Sequence, residues 1–330
     1  MHKMENPFGD GHCLIANDLN KIDQLLRQDG VAACPADRTH KARSSDAKRF
    51  VQWCQQQGVK ALPASPETVT GYIEAMIQDK ALATVRRYVS SISTLHSAVE
   101  MCNPAHSPEV RESLRKAADQ CERPSKGTRP ITREMVQRMV QATLGSTRDL
   151  RDVALLMVAY DTMLRRTEMV ALDVANFHFG RDGFATVTCH SEDDLALPTT
   201  RCIAPDTVRA VEAWMRASNT STGPMFRSID RAGVIGDRLS DRGLVRAFKR
   251  LARQAGLDPE GISGLSCRVG AAGDMMKEGF RLKEVMQAGG WRSPVMVSRY
   301  HQQKRALADN EDLAESPLTR VMLHKPGKRA

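Results

Sequence analysis

Residues 261–300 read GISGLSCRVGAAGDMMKEGFRLKEVMQAGGWRSPVMVSRY. Arg268 opens an apolar, helix-like segment; further on, a double glycine (Gly289-Gly290) leads into Trp291. Ser293-Pro294 has the form of an N-cap followed by a first-turn proline, whose missing N–H costs nothing where the helix has no partner for it. The pattern predicts a short helix from Val295 to about Gln303 that presents Tyr300 between Arg299 and His301. A tyrosine so placed is either a nucleophile or a surface phenol, and taken alone this stretch favours the surface phenol.

Its neighbours shift that balance. Arg268-Val-Gly-Ala-Ala, the run MQAGGW ending at Trp291, and Ser298-Arg-Tyr300 resemble the C-terminal half of the tyrosine recombinase (phage integrase) family, close to its Cre-type branch. An earlier stretch, AYDTMLRRTEMVAL (Ala159 to Leu172), resembles the family's first arginine box and makes Arg165 the counterpart of its first catalytic arginine. The resemblance runs from about Asp37 to Lys304. Two boxes in the right order, roughly a hundred residues apart, are far more specific than one short pattern. The implied fold is mainly α: an N-terminal all-α core-binding bundle, then an α+β recombinase catalytic domain with a small antiparallel sheet.

Composition bounds the partners. The chain has 330 residues, a length that suits two domains, and 41% of them are hydrophobic, enough for a substantial core. Forty-eight Lys and Arg against 39 Asp and Glu give +9, which favours a polyanion, although a moderately basic enzyme carries the same sign. Aromatic residues are only 5%, which disfavours a single-strand binder that stacks bases. The eight cysteines, at 13, 34, 54, 102, 121, 189, 202 and 267, form no CxxC pair and no metal-ligand cluster, so neither a metal nor another cofactor is expected. With reduced thiols, no apolar leader in MHKMENPFGDGH and no membrane-length run, a cytoplasmic, nucleoid-associated protein with no membrane partner is expected.

Along the chain, residues 1–36 read as a partly disordered segment with a weak helical pattern from Leu14 to Leu26. Helices are predicted over Asp37–Gln57, after the N-cap Ser65-Pro66, over Ala83–Met101 and from Ser107-Pro108 to Cys121. They make residues 37–121 a helical bundle that the resemblance equates with a clamp on one face of duplex DNA. Lys48, Arg49, Arg86 and Arg87 are its candidate DNA contacts, or else a solvated face. Residues 122–130, ERPSKGTRP, read as a linker. A catalytic domain follows over 131–305, with helices from Thr132 and over Asp149–Tyr160, β character over Phe177–Thr188 and Arg201–Ile203, and a helix over Asp206–Ala217. Residues 306–330 read as a C-terminal tail; in the family a helix there packs into a neighbouring subunit, which implies self-association on DNA as dimer or tetramer, or pairing with a second recombinase subunit.

Ser240 to Arg253 predicts a helix with a narrow apolar stripe, Leu244, Phe248 and Leu251. Arg242, Arg246, Lys249, Arg250 and Arg253 follow helical spacing and predict one basic face. Such a face suits a helix set in a DNA groove, or else is a solvated basic face or meets an acidic protein partner.

The resemblance also assigns chemistry. Tyr300 would attack phosphorus to form a 3′-phosphotyrosyl link; Arg165 and Arg268 would clamp the non-bridging oxygens with paired N–H donors. Trp291 holds the family's His/Trp position, where an indole N–H donates to the phosphate, and Glu168 would orient an arginine or nearby backbone. Two positions depart from the family. The histidine of its HxxR motif is Leu265, and the lysine of its β-turn is replaced in His190-Ser-Glu-Asp-Asp by Glu192 or Asp193; no lysine occurs from Gly127 to Phe248. The implied function is metal- and ATP-free site-specific recombination. The alternative is a recombinase-fold DNA-binding protein, catalytically weak or inactive, that acts as a regulatory or partner subunit.

Overall fold

The computed structural model describes Ile22, Leu26 and residues 37–120, 127–189 and 198–298. The chain divides into two compact units, residues 1–125 and 126–330.

The described part of the first unit is built from helices α1 (Asp37–Gln57), α2 (Pro66–Ile77), α3 (Leu82–Ala98) and α4 (Pro108–Gln120). Ser65 caps α2 by accepting the Thr68 N–H at 3.2 Å, with Pro66 in the first turn. The apolar positions spaced along α1 to α3 meet in one core, including Phe50, Cys54, Tyr72, Ile73, Tyr88, Ile92 and Leu95, joined by Ile22 and Leu26. Phe50 and Trp53 both meet Tyr72 edge-on, at 5.1 and 5.2 Å between ring centres. His96 is buried in this core: Nδ1 donates to the Ile92 carbonyl at 2.8 Å and Nε2 accepts the Ala64 N–H at 3.0 Å. Burial lowers its pKa, so it stays neutral and ties α3 to the turn before α2.

In the second unit, Thr132 caps α5 (Arg133–Gln141), and a Ser146–Asp149 capping box opens α6 (Thr147–Thr162). Every residue from Ala154 to Tyr160 is buried, as a helix apolar on all sides must be. Helix α6 packs against β3, α8 (Pro205–Ser218), α9 (Asp241–Gln254) and α10 (Ser266–Lys277), and so forms the middle of the unit. Three strands, β1 (Phe177–Phe179), β2 (Ala185–Cys189) and β3 (Thr199–Ile203), make an antiparallel sheet in sequence order. In its register Val187 lies opposite both Phe177 and Arg201. Trp214 on α8 is fully buried and donates its indole N–H to the Met225 carbonyl at 2.8 Å.

Element boundaries fall within a few residues of those predicted. A second hairpin, β4 (Arg227–Ile229) with β5 (Ile235–Arg238), was not predicted. Its strands are short and largely polar, and carry too little alternation to stand out. The weak helical pattern over 14–26 lies outside the described residues except at Ile22 and Leu26, which are helical and buried. The predicted helix from Val295 begins one residue earlier, at Pro294, and is described only as far as Ser298.

One correction concerns the basic helix. Arg250 is not part of an outward basic face. Its Nη1 bonds the buried Asp149 carboxylate at 2.7 Å, and its Nη2 and Nε reach Asp152 at 2.8 Å. The apolar stripe of α9 seats Arg250 at the edge of α6, where two acidic side chains capture it. Arg242, Arg246 and Arg253 are exposed and Lys249 is half-buried.

Candidate functional site

The site forms where three chain reversals meet. Helix α6 ends at Met163, whose backbone is left-handed (φ 51°), and the chain restarts as α7 (Arg166–Ala171) with Arg165 as its N-cap. Glu168 accepts the Arg165 backbone N–H at 2.7 Å with one carboxylate oxygen and the Arg165 guanidinium at 2.6 Å with the other. Glu168 is nearly buried while the Arg165 side chain is about half exposed (52%). The carboxylate therefore caps a helix and aims a guanidinium at the solvent side.

Arg268 comes from α10. It is only 4% exposed, and its Nη1 donates to the Met163 carbonyl, which the left-handed kink turns out of α6. The Trp291 ring lies over it, with its centre 4.1 Å from the guanidinium carbon, a cation–π contact. Helix α10 is itself anchored six residues on. The Asp274 carboxylate accepts the Tyr160 hydroxyl at 2.6 Å and the Arg133 N–H at 2.8 Å. Burial and the neighbouring Asp274 both push the Tyr160 pKa up, so this phenol keeps its proton. Gly270 permits α10 to lie against residues 129–131, since a Cβ there would overlap the Ile131 carbonyl.

The double glycine closes helix α11 (Leu282–Gly289), with Gly290 as its C-cap. A Cβ on Gly289 would overlap the Trp291 ring, and Gly290 holds the left-handed C-terminal turn at φ 66°. These two requirements explain why the Gly-Gly-Trp run seats an indole on Arg268. Arg201, absent from the residues that the sequence suggested, reaches the same place from β3: its Nη1 donates to the Gln287 carbonyl at 3.0 Å. Its strand, TTRCI, gave no sign of this.

Leu265 immediately precedes α10 and is 38% exposed. The adjacent Gly264 lies against the side chain of Arg166, so Leu265 sits near the Arg165 turn with no polar atom to offer. Glu192 and Tyr300 lie outside the described residues. Thus Arg165, Glu168, Arg268 and Trp291 are gathered around the Met163 kink, with Arg201 added.

The proposed DNA contacts of the first unit come from α1 and α3, where Arg49 and Arg87 both lie over the Tyr88 ring. On α1, Lys48 and Arg49 line a groove together with His40, Lys41, Ser44, Ser45 and Gln52. Arg86 is exposed on α3. Arg87 instead pairs with the buried Asp46, which also accepts the Ser91 hydroxyl at 3.1 Å, and lies 5.1 Å over the Tyr88 ring. Its first duty is to the bundle. Among the described residues no His, Cys, Asp or Glu group is arranged to hold a metal, and no helix is long and apolar enough to cross a membrane.

Comparison with known proteins gives consistent matches. A model of the phage integrase family matches residues 129–306. An integrase/recombinase xerD homolog from Selenomonas ruminantium is 30% identical over 287 residues, covering 83% of this chain and 84% of that one. The recombinase cre of Escherichia phage P1 is 28% identical over 296 residues, covering 80% and 84%. Among solved structures, a XerH site-specific recombinase bound to palindromic difH substrate superposes with a TM-score of 0.65 at 13% identity, covering 92% of this chain and 97% of that one. The Tn1549 transposon integrase in complex with transposon right-end DNA gives 0.62 at 12% identity, covering 88% and 98%.

Proposed function

The chain belongs to the phage integrase family, and from that premise we propose that it is a site-specific DNA recombinase, breaking and rejoining duplex DNA through Tyr300. The observation that carries this reading is the gathering of Arg165, Glu168, Arg268 and Trp291 around one chain reversal. Tyr300 Oη attacks a backbone phosphorus; the P–O5′ bond breaks as the Tyr–O–P bond forms, leaving a 3′-phosphotyrosyl link and a 5′-hydroxyl. The phenol loses one proton and the departing 5′-oxygen gains one. One phosphoester replaces another, so bond energy is retained and rejoining calls for no ATP.

Arg165 and Arg268 stabilise the charge that builds on the non-bridging oxygens, the main lever available in phosphoryl transfer. Arg165 is held half-exposed by Glu168, ready to meet a phosphate. Arg268 is covered by the Trp291 ring, which keeps the indole beside the guanidinium that meets the phosphate. An unperturbed phenol has a pKa of about 10 and needs this cationic surrounding to attack.

The partner is double-stranded DNA. Assembly on DNA as dimer or tetramer, alone or with a second recombinase subunit, and a cytoplasmic, nucleoid-associated setting complete this reading. Residues 37–121 act as the DNA clamp through Lys48, Arg49 and Arg86, 122–130 as linker, 131–305 as the catalytic domain and 306–330 as a tail. Arg242, Arg246 and Lys249 supply a second set of DNA contacts.

A second reading is favoured by Leu265 and by the lack of any lysine from Gly127 to Phe248: a recombinase-fold DNA-binding subunit that does not cut. The two are separated by incubating the protein with DNA flanking its gene and looking for a covalent protein–DNA adduct. The recombinase reading expects an adduct with the native chain and none with Tyr300→Phe. DNA binding without an adduct favours the second reading.

A further inference from the structure

We infer that Arg201 is a positioning residue of this site: it latches the Gly-Gly-Trp turn to the sheet and holds a third fixed guanidinium beside Arg165 and Glu168. The inference rests on the recombinase reading for its chemistry and on the geometry for the latch. Arg201 Nη1 donates to the Gln287 carbonyl at 3.0 Å. That carbonyl lies in the last turn of α11, where it also accepts the Gly290 N–H at 3.3 Å and the helix presents its negative end. Nη2 lies against Gly290, where a Cβ would come within 2.7 Å. Gly290 thus has two reasons to be glycine, its left-handed backbone and the guanidinium beside it.

The third nitrogen is the informative one. Arg201 Nε is buried and has no hydrogen-bond partner. Among the described residues no carboxylate bonds the side chain directly. Burial, the largest influence, lowers its basicity, while Cys189 and Glu168 bias it towards the charged form and Arg165 away from it. A guanidinium nevertheless keeps its proton near neutrality. Arg201 therefore does not protonate the leaving 5′-oxygen. It supplies charge and geometry from the strand that returns from the turn where the family carries a lysine, in a chain with no lysine between Gly127 and Phe248. Because α11 ends in Gly289-Gly290-Trp291, holding Gln287 also fixes how the indole meets Arg268.

The test pairs a reading of the turn with one of the reaction. In a Trp53→Phe background the remaining indoles are Trp214, fully buried, and Trp291, partly exposed, so acrylamide quenching reports mainly on Trp291. Arg201→Gln should raise the quenching constant about twofold as the turn opens locally. It should slow single-turnover adduct formation by about ten- to a hundredfold, as when a group that orients reacting residues is lost. The slowing should be equal on ordinary DNA and on DNA with a bridging 5′-sulfur, with duplex affinity unchanged, and Arg201→Lys should restore part of the rate. Arg201→Met, of similar length and uncharged, is read in the same way if thermal melting shows that the glutamine variant does not fold. Unchanged quenching overturns the latch. A rate loss that the sulfur substrate repairs makes Arg201 a leaving-group residue and overturns the positioning role. If the native chain forms no adduct on either DNA, the recombinase reading fails while quenching still decides the latch.

Discussion

The two sides of the proposed site, one that holds charge and one that moves protons, are built into the fold to different depths. Arg268 is buried, bonded to the end of α6 and roofed by Trp291, and its helix is anchored at Asp274 to two others. Replacing it would disturb the core. Leu265 sits half-exposed on a turn, where a change of side chain costs the fold little. A surface position can therefore lose a proton-handling group while the buried cation stays. It also follows that the presence of Arg268 alone says little about cutting. Arg165 says more, because its half-exposed guanidinium serves no core.

The largest expected effect sharpens that contrast. Arg165→Ala should slow adduct formation by about 10³, as loss of a preorganised charge donor does, with stability little changed. Arg268→Ala should slow it comparably and also cost about 2–5 kcal/mol of stability in denaturant titration, since a buried side chain is truncated and the Met163 carbonyl loses its donor. Equal stability of the two variants would break the comparison.

On the proton-transfer side, Leu265→His with Glu192→Lys should raise the rate on ordinary DNA by about 10²–10⁴, the span of one acid–base contribution. The same double variant should gain far less on DNA with a bridging 5′-sulfur. A gain of equal size on both substrates would mean that charge at phosphorus, not the proton, was limiting.

Smaller effects separate the two arginines one turn apart on α9. Arg250→Ala should cost about 2–4 kcal/mol, because the buried Asp149 loses its cationic partner and Asp152 is left with Arg151 alone. Burial raises the Asp149 pKa, but hydrogen bonds from Arg250, Ser146 and Gln254 outweigh it and hold the group lowered to about 2. Its folded value lies below the unfolded value of about 3.9, so its stabilisation is full above about pH 4 and is lost as pH falls through about 2. Arg250→Ala should move the acid-unfolding midpoint upwards. Arg246→Ala with Lys249→Ala should change stability by less than about 0.5 kcal/mol. It should lower the magnitude of the log–log salt slope of duplex binding by about 2, roughly 0.9 per phosphate contact.

The same helix shows what was legible in the sequence. Periodicity placed Arg246 and Arg250 on one face, yet only the tertiary neighbours Asp149 and Asp152 decide that Arg250 turns inward. Caps were legible because their chemistry is local: Ser65, Thr132 and Ser240 each bond an N–H three residues on. Gly289 and Gly290 could be seen in the sequence as a break, but only the fold shows that the Trp291 indole folds back on Gly289 and that the distant Arg201 guanidinium reaches Gly290. Arg201, His96 and Asp274 gave no signal, since a single polar residue in an apolar element has meaning only once its distant partner is known. The arginine box, by contrast, is a contiguous run, and Arg165 was found from it directly.

The central claim, that this chain is a recombinase with its charge-holding side intact and its proton-transfer side altered, is tested most directly by comparing two DNA substrates. One carries an ordinary 5′-oxygen at the scissile phosphate, the other a bridging sulfur, which leaves as a thiolate without a proton. The measurement is the rate of covalent adduct formation through Tyr300, with Tyr300→Phe as control. The account predicts slow adduct formation on the oxygen substrate, ready adduct on the sulfur substrate, and none from Tyr300→Phe on either. No adduct on sulfur-substituted DNA that the protein demonstrably binds would contradict it, and would leave a DNA-binding subunit built on the recombinase fold.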